Sequence, residues 1–151
     1  MHDVTVLIVE DNPELLDLLL QSLPVLGGFR VFGAKDGLEG LVQFEEIHPD
    51  CVVVDVRMPE INGYQFVRAL RGDPATANTP LIILTALTQD RDRFAGLASG
   101  ADLFLNKPVL PFDLAQAIQG VLERSAAERQ AAYETLIEES TEVEVEVLDG
   151  K

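Results

Sequence analysis

The sequence predicts an α/β domain: a five-stranded parallel sheet, doubly wound so that helices cover both faces. Three observations predict it. Short apolar runs and helical patterns alternate five times along residues 4–122, the order of an α/β sheet rather than of segregated strands and helices. The central runs are continuous rather than alternating with polar residues, as in strands covered on both faces. The residues richest in chemistry, Glu10, Asp11, Asp55, Thr85, Ala86, Lys107 and Pro108, lie at or just past the ends of those runs. A parallel sheet gathers such ends along one edge, where open α/β sheets hold their sites.

The elements follow in order. Val4 to Val9 reads as a buried strand running into Glu10-Asp11. Asn12 is placed to cap the next helix, and Pro13 suits its first turn, where a missing N–H is harmless. Leu15, Leu16, Leu18, Leu19, Leu20 and Leu23 give that helix a broad apolar face, and Gly27-Gly28 closes it. Phe29 to Phe32 is a short second strand. Asp36 begins a second helix carrying Leu38, Leu41, Val42 and Phe44, ended by His48-Pro49-Asp50. Cys51 to Asp55 is an apolar run ending in one carboxylate, the pattern of a central strand. After the loop from Val56 to Gly63, a third helix passes through Phe66, Val67 and Leu70, and Asp73 to Thr79 is turn material. Leu81 to Leu84 is the fourth strand, with Thr85 at its end. A polar helix is expected over about Asp90 to Ser99, then a fifth strand at Leu103-Phe104-Leu105 and a last helix from near Phe112. Right-handed crossovers place these helices on both faces.

The last helical pattern persists to about Glu139. At ~1.5 Å per residue that is on the order of 40 Å, about twice what one sheet face needs. Ile118, Leu122, Ala126, Tyr133 and Leu136-Ile137 share a rough stripe that Arg129 interrupts. The stripe can pack on a second copy, making a homodimer, or link to something further on; an overhanging helix is the plain alternative. No strict heptad runs through it. Val143, Val145 and Val147 alternate with Glu142, Glu144 and Glu146, a strand pattern with one acidic face. It could pair at an edge, begin a further domain, or be an acidic tail. The organisation expected is one domain over 1–122 and an acidic extension over 123–151.

Composition narrows the function. Hydrophobic residues are 47% of the chain, too many for a disordered one. No stretch reaches the ~18 apolar residues of a membrane span, and Met1-His2-Asp3 lacks the basic start of a secretory signal, so a cytoplasmic protein is expected. The net charge of −15 disfavours nucleic-acid backbones and anionic membranes as direct partners. The acidity is uneven: residues 1–122 hold 17 acidic and 8 basic groups, whereas 123–151 hold 9 and 3. Cys51 is the single cysteine, so no internal disulfide forms. His2 and His48 lack a second ligand at metal-site spacing. Gly27-Gly28 lacks the glycine-rich run and Lys-Ser/Thr of a nucleotide loop.

The rim residues fit phosphoryl transfer. Asp55 ends a central strand and can accept phosphate as an aspartyl-phosphate. A Mg²⁺ ion would offset the repulsion between its charge and the incoming oxygens, and Glu10, Asp11 and Asp55 supply the oxygen ligands such an ion prefers. The backbone carbonyl of Arg57 is a further candidate ligand. Lys107 would neutralise phosphate charge from the other side. Thr85 offers a hydroxyl to a phosphate oxygen, and Ala86 leaves room for the group. Each residue alone has an ordinary surface or core reading; their placement at successive strand ends makes the pattern informative.

These motifs are specific enough to name a family. Val6 to Asn12, Asp55-Val56-Arg57-Met58-Pro59-Glu60-Ile61-Asn62-Gly63, Leu84-Thr85-Ala86, Gly100-Ala101-Asp102 and Phe104-Leu105-Asn106-Lys107-Pro108 make the chain resemble the receiver domain of bacterial two-component response regulators over residues 4 to about 122. The resemblance implies the flavodoxin-like receiver fold and Mg²⁺-dependent transfer of a phosphoryl group from a histidine kinase or phosphotransfer protein to Asp55. It implies a cis Lys107–Pro108 bond. It also implies a switch in which Thr85 moves toward the phosphate and Phe104 turns inward, altering the face of the fourth helix, fifth strand and fifth helix. Core packing is the plain reading of Phe104. Arg57 and Leu87, bulky and two residues past Asp55 and Thr85, occupy positions that tune dephosphorylation in this family, and a long-lived phosphoryl state is expected.

A receiver of this kind is a stoichiometric acceptor rather than an enzyme, and it signals through protein contacts. Its downstream partner is either a separate target or a C-terminal output domain, and the acidic residues after Leu122 do not read as a DNA-binding module. Two other classes remain. An aspartyl phosphohydrolase would want a second acid two residues past the nucleophile, where this chain has Arg57. A phosphorylation-independent binding module on the same fold would normally have an eroded rim.

Overall fold

The computed structural model describes residues 3–58, 61–86 and 100–124. Five strands, β1 (Thr5–Val9), β2 (Arg30–Ala34), β3 (Cys51–Asp55), β4 (Leu81–Thr85) and β5 (Leu103–Asn106), form one parallel sheet in the order β2-β1-β3-β4-β5. The helices α1 (Pro13–Gly27), α2 (Gly37–Ile47) and α3 (Gly63–Arg71) join successive strands, and a further helix runs over 111–124. The predicted helix at Asp90 to Ser99, Leu87, and the expectations for residues 125–151 lie outside the described residues.

Strand periodicity builds two cores. In β1, Leu7 and Val9 face α2 and α3, whereas Val6 and Ile8 face α1 and the 111–124 helix. Val52 and Val54 of β3 and Leu81 and Ile83 of β4 join the first side; Cys51, Val53, Ile82 and Leu84 join the second. β1, β3 and β4 thus need apolar side chains in both directions, which explains their unbroken apolar runs. Leu19, Leu23, Leu114 and Ile118 cover one face and Phe44, Phe66 and Leu70 the other. Truncating one of these fully enclosed side chains to alanine costs about 2–5 kcal/mol.

Local signals set the helix ends. The Asn12 side chain accepts from the backbone N–H groups of Glu14 and Leu15, and Pro13 occupies the first turn of α1. Gly28, with φ 70°, ends α1 and donates its N–H to Pro24 O. Asp36 caps α2 through the Glu39 N–H. Asn62 and Gln65 make a reciprocal capping box at α3. The predicted boundary at Phe29 shifts: β2 starts at Arg30, whose N–H donates to Val4 O. Phe29 instead turns into the core under Gly27, where a Cβ would fall 2.2 Å from its ring.

Candidate functional site

Four strand ends build the site. β1 leads directly into Glu10, which is fully buried, and exposed Asp11. Glu10 is held at both ends: its N–H donates to Ala34 O at 2.9 Å, and its Oε2 accepts from Asn12 N–H at 3.0 Å. The residue that caps α1 therefore also orients the first acid. β3 delivers Asp55, only 5% exposed, and the chain turns back at once. Gly63 N–H donates to Val56 O at 2.9 Å, and a Cβ on Gly63 would sit 2.7 Å from Asp55 O. Only glycine lets the 56–63 loop close beneath the acceptor strand. β4 delivers buried Thr85. β5 pairs Asn106 with Thr85, and Lys107 N–H donates to Thr85 O at 2.8 Å, so the lysine emerges beside β4.

From there the Lys107 ammonium reaches inward. Its Nζ hydrogen-bonds Asp55 Oδ2 at 3.1 Å and lies 2.9 Å from Glu10 Oε1. The latter contact is an ion pair, and Lys107 is the cation that steadies this buried oxygen. The Lys107–Pro108 peptide is cis, as the resemblance implies. Arg57 contributes its backbone N–H, which donates to the Asp55 carboxylate.

One lysine contacts two buried acids beside a third, and the buried pair shows it. Burial raises the Asp55 carboxyl above the usual carboxylate range; the Lys107 charge opposes this and nearby Asp11 adds to it. Burial likewise raises Glu10, against its contact with Lys107. Burial on its own would lower Lys107, but Glu10 and Asp55 together outweigh it and raise its pKa. The donor set suits a cation. Glu10, Asp11 and Asp55 each offer a carboxylate oxygen, and these oxygens lie within 4.8 Å of one another. Hard oxygen donors, a buried oxygen without an aligned partner and excess negative charge fit a divalent metal ion.

The cluster opens into a cleft of about 570 Å³ whose walls include Asp11, Asn12, Glu14, Arg57, Ala86 and Lys107. The structure thus brings Glu10, Asp11, Asp55, Arg57, Ala86 and Lys107 to one mouth, with Thr85 tied to Lys107 beside it. Phe104 lies apart, opposite Ile83 in the sheet, and is 37% exposed rather than packed in the core. Sequence reasoning missed two contributions, the Asn12 N–H on Glu10 and the Arg57 N–H on Asp55. Both are backbone groups, and no residue type announces them.

A buried strand-end aspartate, flanked by an acid pair that could hold a metal ion and by a lysine, defines a phosphoryl-accepting signalling switch. The comparisons agree. The family described as response regulator receiver domain matches residues 6–119, and the chain belongs to that family. It is 34% identical over 127 residues to the DNA-binding dual master transcriptional regulator RpaA of Synechocystis, covering 84% of this chain and 52% of that protein. Chemotaxis response regulator CheY4 of Vibrio cholerae superposes with a TM-score of 0.72 at 32% identity, covering 80% of this chain and 99% of that one. A CheY-like receiver domain protein from Methanospirillum hungatei gives 0.75 at 26% identity, covering 84% and 99%. The chain spans about half the length of the curated relatives it matches. Members of this family are phosphoryl acceptors rather than catalytic enzymes, and no helix among the described residues is long and apolar enough to cross a membrane.

Proposed function

We propose that Asp55 is the phosphoryl acceptor and that Mg²⁺ is the ion its acid cluster takes. The observation that carries this reading is the convergence of Glu10, Asp11, Asp55 and Lys107 on one cleft. An Asp55 oxygen attacks the phosphorus of a phosphohistidine on a histidine kinase or phosphotransfer protein. The new O–P bond forms as the N–P bond breaks, and the imidazole leaves with the bonding pair. Mg²⁺ held by Glu10, Asp11, Asp55 and the Arg57 carbonyl supplies charge compensation for the transferred group. Lys107 exchanges its Asp55 contact for a phosphate oxygen and keeps Glu10 as its anchor. Thr85 donates its hydroxyl to another phosphate oxygen, and Ala86 leaves that path open.

The output follows from position. Thr85 and Phe104 sit on adjacent strands, so a movement of Thr85 toward the phosphate gives Phe104 room to turn inward. That shifts a two-state population of the β4–β5 face rather than deforming it continuously. Residues 1–122 form the switch, and 123–151 extend it toward a downstream protein, an output domain or a second copy.

The test is mass measurement after incubation with Mg²⁺ and acetyl phosphate. Wild type gains one phosphate and Asp55→Asn gains none; equal gain in both would move the acceptor elsewhere. Sedimentation of the same samples, with a chain ending at Arg124 for comparison, reads whether phosphorylation changes assembly through the extension.

A further inference from the structure

The end of the sheet opposite Asp55 carries a second cavity. It lies between the last turns of α2 and α3 and the 73–79 turn, beside the starts of β3 and β4, and measures about 490 Å³. Leu41, Phe44 and Leu70 form its apolar floor, and Glu45, Asp73 and His48 stand at its rim. Among the described residues no lysine or arginine lines it. The size falls within the range of small-ligand pockets, and an apolar floor with a few polar groups is their usual construction.

Two features fix the chemistry of an occupant. The rim is acidic: Asp73 spends one oxygen on the Ala75 N–H at 2.9 Å, and Glu45 is exposed at the mouth. Among the described residues no lysine or arginine lines the cleft; the guanidinium behind its wall, Arg71 on Thr79 O, is paired with Asp102, so Glu45 and Asp73 set the charge at the mouth and favour positive ligands. His48 also ends α2 in the left-handed region, with φ 47°. Glycine takes that conformation without steric cost and a β-carbon does not. That turn leaves an imidazole, a further hydrogen-bonding group, at the edge of the cavity beside its acidic rim.

We propose that this groove binds a small organic cation with an apolar body, of the aryl-alkyl-amine class. Its body lies on Leu41, Phe44 and Leu70, and its ammonium lies between Glu45 and Asp73. Such a ligand ties α2, α3 and the 73–79 turn together at the pole away from the phosphoryl cleft. Binding does not depend on the state of Asp55.

The experiment is an NMR titration of the full chain with three matched probes: 2-phenylethylamine, 3-phenylpropionate and 2-phenylethanol. For so small a probe, saturable binding with a Kd on the order of millimolar is expected. The amine binds about tenfold more tightly than the acid, the scale of a nearby unit charge at a protein surface. The paired change Glu45→Gln with Asp73→Asn removes that preference. Ala69→Phe, at an exposed helix position lining the cavity, fills the groove and abolishes binding while the fold's amide spectrum persists. Equal affinity for the three probes, no saturation by the amine, or unchanged binding in Ala69→Phe each overturns the proposal.

Discussion

At the C-terminal ends of β1 and β3 one lysine lies among three carboxylates, while at the other pole of the sheet each nitrogen of one arginine has its acceptor. Arg71, at the end of α3, donates its Nε to Gly100 O, its Nη1 to Thr79 O at 2.8 Å and its Nη2 to Asp102 Oδ2 at 3.3 Å. Asp102 in turn accepts from Leu81 N–H at 2.8 Å. Three segments are fastened by one side chain, and Gly100 is required because a Cβ there would sit 2.9 Å from Arg71 Cγ and Val67 Cγ1. The phosphoryl cleft has the opposite balance: a buried carboxylate oxygen lacks an aligned donor, and two acids are raised by burial. A matched cluster holds the fold. An unmatched one is held by the fold, and its carboxylate oxygens are placed where they could hold a cation.

The sharpest way to break this contrast is to remove each centre in turn. Arg71→Met strands two backbone carbonyls and leaves the Asp102 carboxylate with only its Leu81 N–H bond, and we expect a loss of about 2–3 kcal/mol in urea unfolding, with some of the cost recovered by solvent at this partly exposed site. Phosphate uptake by the folded fraction should persist, because Arg71 touches nothing in the cleft. A loss below about 0.5 kcal/mol would show that the clasp is ornamental.

Asp55→Asn should have the opposite sign. The native carboxyl has its pKa raised, chiefly by burial. Its contribution to stability is therefore fully present below the ordinary carboxylate range and lost as pH rises through the raised value. Glu10 acts in the same direction. At neutral pH and without divalent ions the amide should stabilise the fold by about 1 kcal/mol, and its stability should fall less between pH 4 and 7 than that of wild type. Mg²⁺ at a hundredfold excess over its Kd should restore about 2.7 kcal/mol to wild type and much less to the variant. Thermal unfolding across pH, with and without Mg²⁺, reads all three differences. A variant less stable than wild type at neutral pH without Mg²⁺ would mean that the Lys107–Asp55 contact outweighs the burial of the acid.

The two poles were unequally legible in the sequence. The phosphoryl rim could be read because each residue ends an apolar run, and a strand end is a one-dimensional mark: Asp55 closes Cys51 to Val54, and Glu10 closes Val4 to Val9. The parallel, doubly wound class then followed from alternation, whereas the strand order β2-β1-β3-β4-β5 is a tertiary fact that alternation leaves open. The Arg71 clasp could not be read. Its partners lie 8, 29 and 31 residues away, two of them backbone carbonyls, and an arginine in the last turn of a helix has an ordinary solvent reading. The depth of Glu10 was hidden for a related reason. An acid after a strand looks exposed until the Asn12 N–H and the Lys107 ammonium are brought around it. Core packing, the plain alternative to a switch role for Phe104, does not hold: β5 is an edge strand and the residue is 37% exposed.

The smallest effect expected is at the mouth of the cleft, where the contrast concerns rate rather than stability. Arg57 is exposed and lines the approach to Asp55, while its backbone N–H already serves the carboxylate. Its side chain can therefore be changed without disturbing the acceptor. With Asp55 phosphorylated, we expect this long guanidinium to obstruct the water that would attack in line. Arg57→Asn should speed phosphate loss by about threefold, which is roughly 0.6 kcal/mol in the barrier, with Mg²⁺ affinity unchanged. Timing release of phosphate from the acetyl-phosphate-loaded protein measures it. An unchanged rate would assign the lifetime of the phosphoryl state to the buried partners, Lys107 and Thr85, and leave the rim residue to partner recognition alone.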